Sequence, residues 1–230
     1  MEEKEFAKLY KMMSKLLRPH PWHGIELYDS RQDHILNAYI EIVPTDTVKY
    51  ELDKPTGYLK VDRPQRFSNI IPALYGFLPQ TYCGKKVAQY TIEKLGRNNL
   101  HGDLDPLDIC VLTEKNVFHG DLIVNAIPIG GFRMIDHGEV DDKIIAVLKD
   151  DAVFGELRDI KHCPDGTLSR LKHYFLTYKQ IPDPDTDEIP KCEITHIYGH
   201  EEALQVIEHA EADYHDKYTF NKLLNSVQLD

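Results

Sequence analysis

The chain has 230 residues, a length at which one domain with a sizeable hydrophobic core is the usual outcome. Its formal net charge of −11 argues against general binding to nucleic acids or anionic membranes, so we expect neither as a partner. No stretch approaches the roughly 20 apolar residues that span a bilayer. The acidic N-terminus lacks the apolar run of a signal peptide, which favours the cytoplasm.

The first predicted element is an amphipathic helix near the N-terminus. Phe6, Leu9, Met13 and Leu16 recur at helical spacing, and the Arg-Pro-His-Pro sequence at 18–21 ends the helix. We interpret residues 1–36 as an N-terminal extension of a single domain that covers residues 1–230.

Short strands separated by turn signals follow this extension. The predicted strands are 39–43, 48–52, 59–63, 108–112, 122–127 and 143–148. Many short strands at fairly regular spacing indicate a small closed or partly closed β-barrel. The polar stretch 83–102 separates the early strands from the later ones, and we predict that it is a surface insertion.

Two amphipathic helices complete the predicted order of elements. Each shows apolar residues along one face: Leu168, Leu171, Phe175 and Tyr178 in the first, and Leu204, Ile207, Ala210 and Tyr214 in the second. Between them, the prolines and acidic residues of 180–190 are typical of a solvated loop. The fold class is therefore α+β and mainly β.

Three aspartates lie within six positions at the start of one predicted strand. Facing one apolar space, Asp103, Asp105 and Asp108 would repel each other strongly unless divalent cations lay between them. Pro106 fixes its own φ and favours extended backbone at Asp105, which predicts a turn. Because this turn leads directly into the core strand 108–112, the pattern favours a metal site over a solvated acidic turn.

Charged residues elsewhere complement the aspartates. Strand alternation places Lys49 and Glu51 on the same face. Asp136 and Asp141 lie five residues apart, directly before another predicted strand. Mg²⁺ takes oxygen ligands and bridges substrate phosphates, while Lys and Arg neutralise the remaining phosphate charge. Three further residues lie at the ends of a predicted strand (Arg63) and a predicted helix (Tyr178 and Lys179). Carboxylates for metal ions and cations for phosphates are together what phosphoryl transfer to water requires.

The aspartate turn also matches a known signature. The sequence DLDPLDI at 103–109 fits the pattern Asp-x-Asp-Pro-x-Asp followed by an apolar residue, and the chain thereby resembles the family I soluble inorganic pyrophosphatases. The similarity runs in order from about residue 39 to residue 179. It includes YIEI at 39–42, VKYELDK at 48–54, VDR at 61–63, YG at 75–76, the run from Asp136 to Lys143, and HYFLTYK at 173–179.

The resemblance implies a fold and an activity. The fold would be a small OB-like closed β-barrel with flanking helices, and the subunits would form a homo-oligomer, either a dimer or a hexamer. The activity would be Mg²⁺-dependent hydrolysis of inorganic pyrophosphate to two orthophosphates by an activated water. Several metal ions would bind in each active site, with Mn²⁺ or Zn²⁺ as substitutes.

The resemblance also implies a role for each candidate residue. Asp103, Asp108 and Asp141 would hold the activating metals, and Asp136 with Asp141 would bind a metal that arrives with the substrate. Asp105 would orient and deprotonate the attacking water. The remaining residues would support the metals from the barrel wall (Glu41 and Glu51), bind the phosphates (Lys49, Arg63, Lys143, Tyr178 and Lys179, the last two also acting in catalysis) or line the cavity (Tyr75).

Two positions depart from the family pattern without removing a ligand. Ile71 stands where a tyrosine is often found, and Leu104 stands where glycine or another small or polar residue is usual. Because ordinary residues with positive φ are uncommon, we expect φ < 0 at Leu104 and a side chain packed under the 83–102 insertion. Glycine at this position should then lower the stability of the protein modestly.

Three alternatives to an active pyrophosphatase make different demands on the sequence. An EF-hand would use Asp103, Asp105 and Glu114, but its sixth position is Asp108 instead of glycine, and a strand-like run follows. An OB-type module that binds nucleic acid needs a basic groove, which the acidic composition does not supply. The third alternative is a family member whose catalysis is impaired by Leu104.

Overall fold

The computed structural model describes residues 12, 16–65, 70–179 and 192–218. Most of the predicted N-terminal helix, including Phe6, Leu9 and Met13, lies outside these ranges, as does the predicted acidic loop 180–190. None of the helices within the described ranges is both long enough and apolar enough to cross a membrane.

The described ranges contain eleven strands and three α-helices. The strands are β1 (Tyr28–Ser30), β2 (Ile35–Ile42), β3 (Val48–Leu52), β4 (Leu59–Pro64), β5 (Leu74–Phe77), β6 (His101–Gly102), β7 (Asp108–Leu112), β8 (Leu122–Asp136), β9 (Glu139–Val140), β10 (Lys143–Leu148) and β11 (Cys192–Gly199). The helices are α1 (Lys85–Leu95), α2 (Asp165–Thr177) and α3 (His200–Lys217), and a 3₁₀ turn covers Ile160–His162.

Five of these strands form a closed barrel, in the order β2, β5, β7, β10 and β8, with β8 pairing back to β2. The pairing of β7 with β10 is parallel, and the other four pairings are antiparallel. The remaining short strands extend this sheet, whereas β3 and β4 form a separate hairpin. The predicted closed barrel with flanking helices is thus confirmed.

The barrel strands are buried on both faces, because helices cover the outside of the sheet. In β7, Ile109 and Val111 join one hydrophobic cluster, and Cys110 and Leu112 join another. The first cluster includes the buried side of α3, and the second includes the buried side of α2. Period-two alternation along each strand therefore separates two cores, and it leaves the strand ends free to carry polar groups.

Helix α1 lies within the stretch predicted to be a polar surface insertion, where the sequence indicated no helix. Its N-cap residue, Gly84, has no side chain to accept the first N–H groups of the helix. Asp213 of α3 does so instead: its carboxylate accepts hydrogen bonds from the N–H groups of Gly84, Lys86 and Val87 at 2.9–3.1 Å. The start of α1 is consequently fixed by a residue that lies far away in the chain.

Candidate active site

One solvent-open cavity of about 200 Å³ gathers the charged residues at one end of the barrel. It is lined by Glu41, Lys49, Glu51, Tyr75, Asp103, Asp105, Asp108, Asp136, Glu139, Asp141, Lys143, Tyr178 and Lys179. Twelve of the thirteen residues singled out from the sequence are among them, with Arg63 as the exception.

The register of the barrel explains why residues distant in sequence meet here. Asp108 is the first residue of β7 and Lys143 is the first of β10, and the two are direct partners in the parallel pairing. Strand β8 runs antiparallel to β10 and ends at Asp136. The beginnings of two strands and the end of their neighbour therefore lie at the same edge, where Asp136, Asp141 and the aspartate turn converge.

The aspartate turn is fixed by bonds to the segment that precedes α1. The N–H of Cys83 donates to the carbonyl oxygen of Asp105 at 2.8 Å, and the N–H of Leu104 donates to the carbonyl oxygen of Cys83 at 3.1 Å. Within the turn, Oδ1 of Asp103 accepts the N–H of Asp105 at 3.0 Å. The hydroxyl of Thr81 accepts the N–H of Leu107 at 2.9 Å. The backbone of the turn is thus fixed by Cys83 and by the side chains of Thr81 and Asp103.

Within this turn, the expectation for Leu104 is wrong. Its φ is +67°, in the left-handed region, and its side chain is exposed (57%) rather than packed under the segment 83–102. The backbone bonds on either side of Leu104 hold this conformation, which glycine adopts without strain. Ile71, the other departure, is buried in the core cluster beneath α2.

Lysines and carboxylates pair closely inside the cavity. The ammonium group of Lys143, which is almost fully buried, contacts both Asp108 and Asp141. Burial alone would lower the pKa of Lys143, but the charges of Asp108 and Asp141 raise it well above its ordinary value. Lys179 pairs in the same way with Asp136, and this hydrogen bond and one from His137 outweigh burial and lower the pKa of Asp136.

Other carboxylates are less well compensated. Burial and the neighbouring charge of Asp141 raise the pKa of Asp103 to about 9. Burial and the charge of Asp108 raise the pKa of Glu41 to about 8, although its Oε1 accepts the N–H of Leu52 at 2.7 Å. The cavity therefore holds more carboxyl groups than its own lysines can keep ionised, and a bound cation would favour the ionised form of these groups.

The donor set suits hard divalent cations. Eight carboxylates and three lysines are among the lining residues, and carboxylate oxygens are the ligands that Mg²⁺ prefers. Within the described ranges, no three Asp, Glu, His or Cys side chains already lie close enough together to enclose an ion. Because the Lys143 ammonium lies between Asp108 and Asp141, a cation that bound this pair would have to displace it. That exchange would free Lys143 for an anionic ligand.

Two phenols line the same cavity. The hydroxyl of Tyr75 donates to Oδ2 of Asp108 at 2.5 Å, and burial together with the Asp108 charge raises the pKa of Tyr75 well above its ordinary value. Tyr75 is therefore a neutral hydrogen-bond donor. Tyr178 stacks on Tyr174 with ring centroids 5.0 Å apart, which fixes the end of α2 from which Lys179 reaches Asp136.

Arg63 is the one candidate that does not line the cavity. It lies opposite Lys49 in the β3–β4 hairpin, and its guanidinium donates to Asp62 at 2.9 Å. Asp62 also lies 3.3 Å from the Lys49 ammonium, so this carboxylate bridges Arg63 to a lysine that does line the cavity. Arg63 thus stands beside the cavity, at its rim.

Sequence reasoning missed Glu139 and Lys54. Glu139 lies between Asp136 and Asp141, and the burial of its neighbour Val140 turns its side chain toward the cavity. That alternation was a usable signal. Lys54 forms an ion pair with Asp105, and no sequence spacing connects these two residues.

The chain matches a known protein family over most of its length. The family model described as "Inorganic pyrophosphatase" matches residues 38–215 of the chain. The inorganic pyrophosphatase of Chlamydia caviae is 55% identical over 204 residues, covering 88% of this chain and 94% of that protein. The inorganic pyrophosphatase of Chlamydia muridarum is 55% identical over 197 residues, covering 85% of this chain and 93% of that protein.

A solved structure shows the same fold. The crystal structure of inorganic pyrophosphatase from Thermus thermophilus superposes with a TM-score of 0.67 at 25% identity, covering 85% of this chain and 98% of that chain. The match therefore spans nearly the whole of that protein.

Proposed function

This chain belongs to the inorganic pyrophosphatase family, and we propose that it hydrolyses inorganic pyrophosphate to two orthophosphates with Mg²⁺ as its cofactor. The observation that carries this proposal is the single cavity in which eight carboxylates and three lysines meet. Pyrophosphate is a polyanion, and its hydrolysis needs that charge to be offset before a nucleophile can approach.

The carboxylates divide into groups with different tasks. Asp103, Asp108 and Asp141 would hold the activating Mg²⁺ ions, and Asp136 with Asp141 would bind a further Mg²⁺ that accompanies the substrate. Glu41 and Glu51 would support these ions from the barrel side. Bound Mg²⁺ supplies two things: it lowers the pKa of water, and it offsets the charge of the phosphates. Mn²⁺ and Zn²⁺ are expected to substitute for Mg²⁺.

The cations of the protein bind the substrate. Lys49, Lys143 and Lys179 act as point charges for phosphate oxygens, and Arg63 adds a fork of donors at the rim. Tyr178 and Tyr75 donate hydrogen bonds from their hydroxyl groups. Since Lys143 and Lys179 are paired with proposed metal ligands, cations and substrate are expected to bind cooperatively.

Asp105 is the proposed proton acceptor. Its carboxylate accepts a proton from the attacking water, whose oxygen forms a bond to one phosphorus while the bridging P–O bond breaks. The leaving orthophosphate is held by Lys179 and Tyr178, which stabilise the charge that develops on it. We place this activity in the cytoplasm, in a homo-oligomer.

The direct test is phosphate release from pyrophosphate by the purified protein. We expect release with Mg²⁺ and its loss when a chelator is added. Absence of release with Mg²⁺, Mn²⁺ and Zn²⁺ would contradict the proposal and would favour an impaired member of the family.

Substitutions separate the proposed roles of the aspartates. Asp105→Asn keeps the shape of the side chain but removes its basicity, so turnover should fall about 10²-fold at an unchanged Mg²⁺ requirement. Asp108→Asn should instead raise the Mg²⁺ concentration needed for half-maximal activity. Asp150→Asn, at a strongly exposed site paired with Lys149, is the matched control and should change neither. If Asp105→Asn weakened metal activation and Asp108→Asn did not, the roles would be reversed.

A further inference from the structure

Lys54 is not among the site residues proposed above, and its ammonium forms an ion pair with Oδ1 of Asp105. It belongs to the loop between β3 and β4, outside the barrel. We propose that Lys54 is a positioning residue that holds the carboxylate of Asp105 in place for proton transfer. This inference rests on the proposed function, because it acts through the proposed proton acceptor.

The loop that carries Lys54 is a tight turn with defined hydrogen bonds. The carbonyl oxygen of Asp53 accepts the N–H groups of Thr56 at 3.1 Å and Gly57 at 2.8 Å, and the N–H of Asp53 donates to Tyr58 at 2.8 Å. Gly57 has a φ of +72°, which a side chain would strain. The backbone of Lys54 is therefore fixed, although its side chain is long and half exposed.

His20 ties this turn to the N-terminal segment. Its Nδ1 accepts the backbone N–H of Trp22 at 3.2 Å, so Nε2 carries the ring proton and donates to the carbonyl oxygen of Lys54 at 2.9 Å. A Cβ on Gly57 would lie only 2.8 Å from the His20 ring, so the two surfaces are in direct contact.

The same N-terminal segment also holds the aspartate turn. Trp22 is fully buried, and its indole N–H donates to the carbonyl oxygen of Thr81 at 2.8 Å. The hydroxyl of Thr81 in turn accepts the N–H of Leu107, two residues after Asp105. One short segment thus sets the positions of both backbones that carry the ion pair.

The neighbours of Asp105 explain why it needs such a partner. Asp105 lines the same cavity as Asp103 and Asp108, and carboxylates that share a cavity repel one another when they are ionised. Lys54 supplies the opposing attraction. It does not line the main cavity but lies in a smaller adjoining pocket, which it shares with Asp105 and Asp108. Its place in the fold therefore favours action through Asp105 over direct contact with the substrate.

The test compares Lys54→Met with Lys60→Met. Lys60 lies on the same hairpin and is paired with Asp53 at 3.3 Å, so its replacement removes the same charge from the same element. For Lys54→Met we expect kcat to fall about 10-fold, with the KM for magnesium pyrophosphate and the half-activating Mg²⁺ concentration changed less than twofold. Lys60→Met should keep all three values, and Lys54→Arg should recover most of kcat.

Several results would overturn the inference. A kcat of Lys54→Met within twofold of the parent would remove the positioning role. A raised KM at unchanged kcat would make Lys54 a substrate ligand instead. An inactive parent protein would overturn the proposed function together with this inference, whereas an active parent with an unaffected Lys54→Met variant would overturn the role of Lys54 alone.

Discussion

At the scale of single residues, Leu104 is a residue whose side chain does not suit the backbone conformation of its turn. It lies between two cavity aspartates at a φ of +67°, which costs a leucine about 1–2 kcal/mol relative to right-handed backbone. The strain persists because its N–H is bound to Cys83 and the following N–H is bound to Asp103. The exposed side chain gives little burial in return.

Glycine at this position should therefore stabilise the protein, the opposite of the expectation from sequence. Relief of the strain exceeds the added chain entropy of glycine, and we expect Leu104→Gly to gain about 0.5–1 kcal/mol. Leu104→Ala is the matched control, since it shortens the side chain but keeps the Cβ and hence the strain; it should not gain. Thermal melts of the two variants decide this, and equal stability of both would contradict the strained turn.

The residues of the site were predictable to different degrees. Asp103, Asp105 and Asp108 stand close together in sequence, so their repulsion and the following strand are visible without a structure. The partnership of Lys54 with Asp105 was not visible, because it depends on where the β3–β4 loop docks. The sequence therefore predicts groups that lie on one element well, and pairings between elements poorly.

At the scale of elements, helices with a local sequence signal were predicted, and the helix that depends on a distant residue was not. Helices α2 and α3 show apolar residues at helical spacing and were predicted. Helix α1 was not predicted because the residue before it, Gly84, has no side chain that could cap the helix. The missing cap is the carboxylate of Asp213, which no local pattern could reveal.

The strands show a related limit. The six predicted strands all occur, but β8 continues beyond its predicted end through Pro128, Gly130 and Gly131, which normally mark the end of a strand. Gly131 is required because a Cβ there would lie 2.4 Å from the hydroxyl of Tyr198. The two glycines thus mark the close approach of β11 rather than a turn. Strand β5 was missed because it has only four residues.

Removing the distant cap should destabilise the protein measurably. Asp213→Ala leaves the first N–H groups of α1 without their acceptor in a buried setting, and we expect a loss of about 2 kcal/mol in the free energy of unfolding. Asp216→Ala, one turn further along α3, removes an exposed partner of Lys86 and should cost at most about 0.5 kcal/mol. Urea denaturation of both variants provides the comparison. Equal losses would mean that the Asp213 cap contributes nothing specific.

At the scale of the whole molecule, a buried cation connects the barrel to the helix outside it. Arg133 of β8 is fully buried, 3.3 Å from Asp142 and 3.0 Å from Glu202 of α3. Tyr198 of β11 also donates to Asp142, at 3.0 Å. Burial raises the pKa of Asp142 to about 6 despite its cationic partner. Removing the two charges from water therefore costs substantial free energy, which the attraction between them must offset.

Removing this cation should be severely destabilising. Arg133→Met leaves the carboxylate of Asp142 buried without its cationic partner, although the Tyr198 hydroxyl remains, and we expect a loss of about 3–5 kcal/mol in the free energy of unfolding. The control is Arg31→Met, because Arg31 forms an exposed pair with Glu211 that is worth at most about 1 kcal/mol. Adding Asp142→Asn to Arg133→Met should restore part of the loss. If Arg133→Met cost less than 1 kcal/mol in denaturant titrations, the network would not be structural.

The pairing of β2 with β8 determines when the barrel can close during synthesis of the chain. Leu36 pairs with Ala126, 90 positions later, and β10 must also be in place before the ring is complete. Contacts of such separation form late, because the entropy of the intervening chain must be given up first. A ribosome must therefore deliver about two thirds of the polypeptide before the ring can close. Since the cavity takes residues from all around that ring, the return of pyrophosphate hydrolysis during refolding reports ring closure and not the formation of single hairpins.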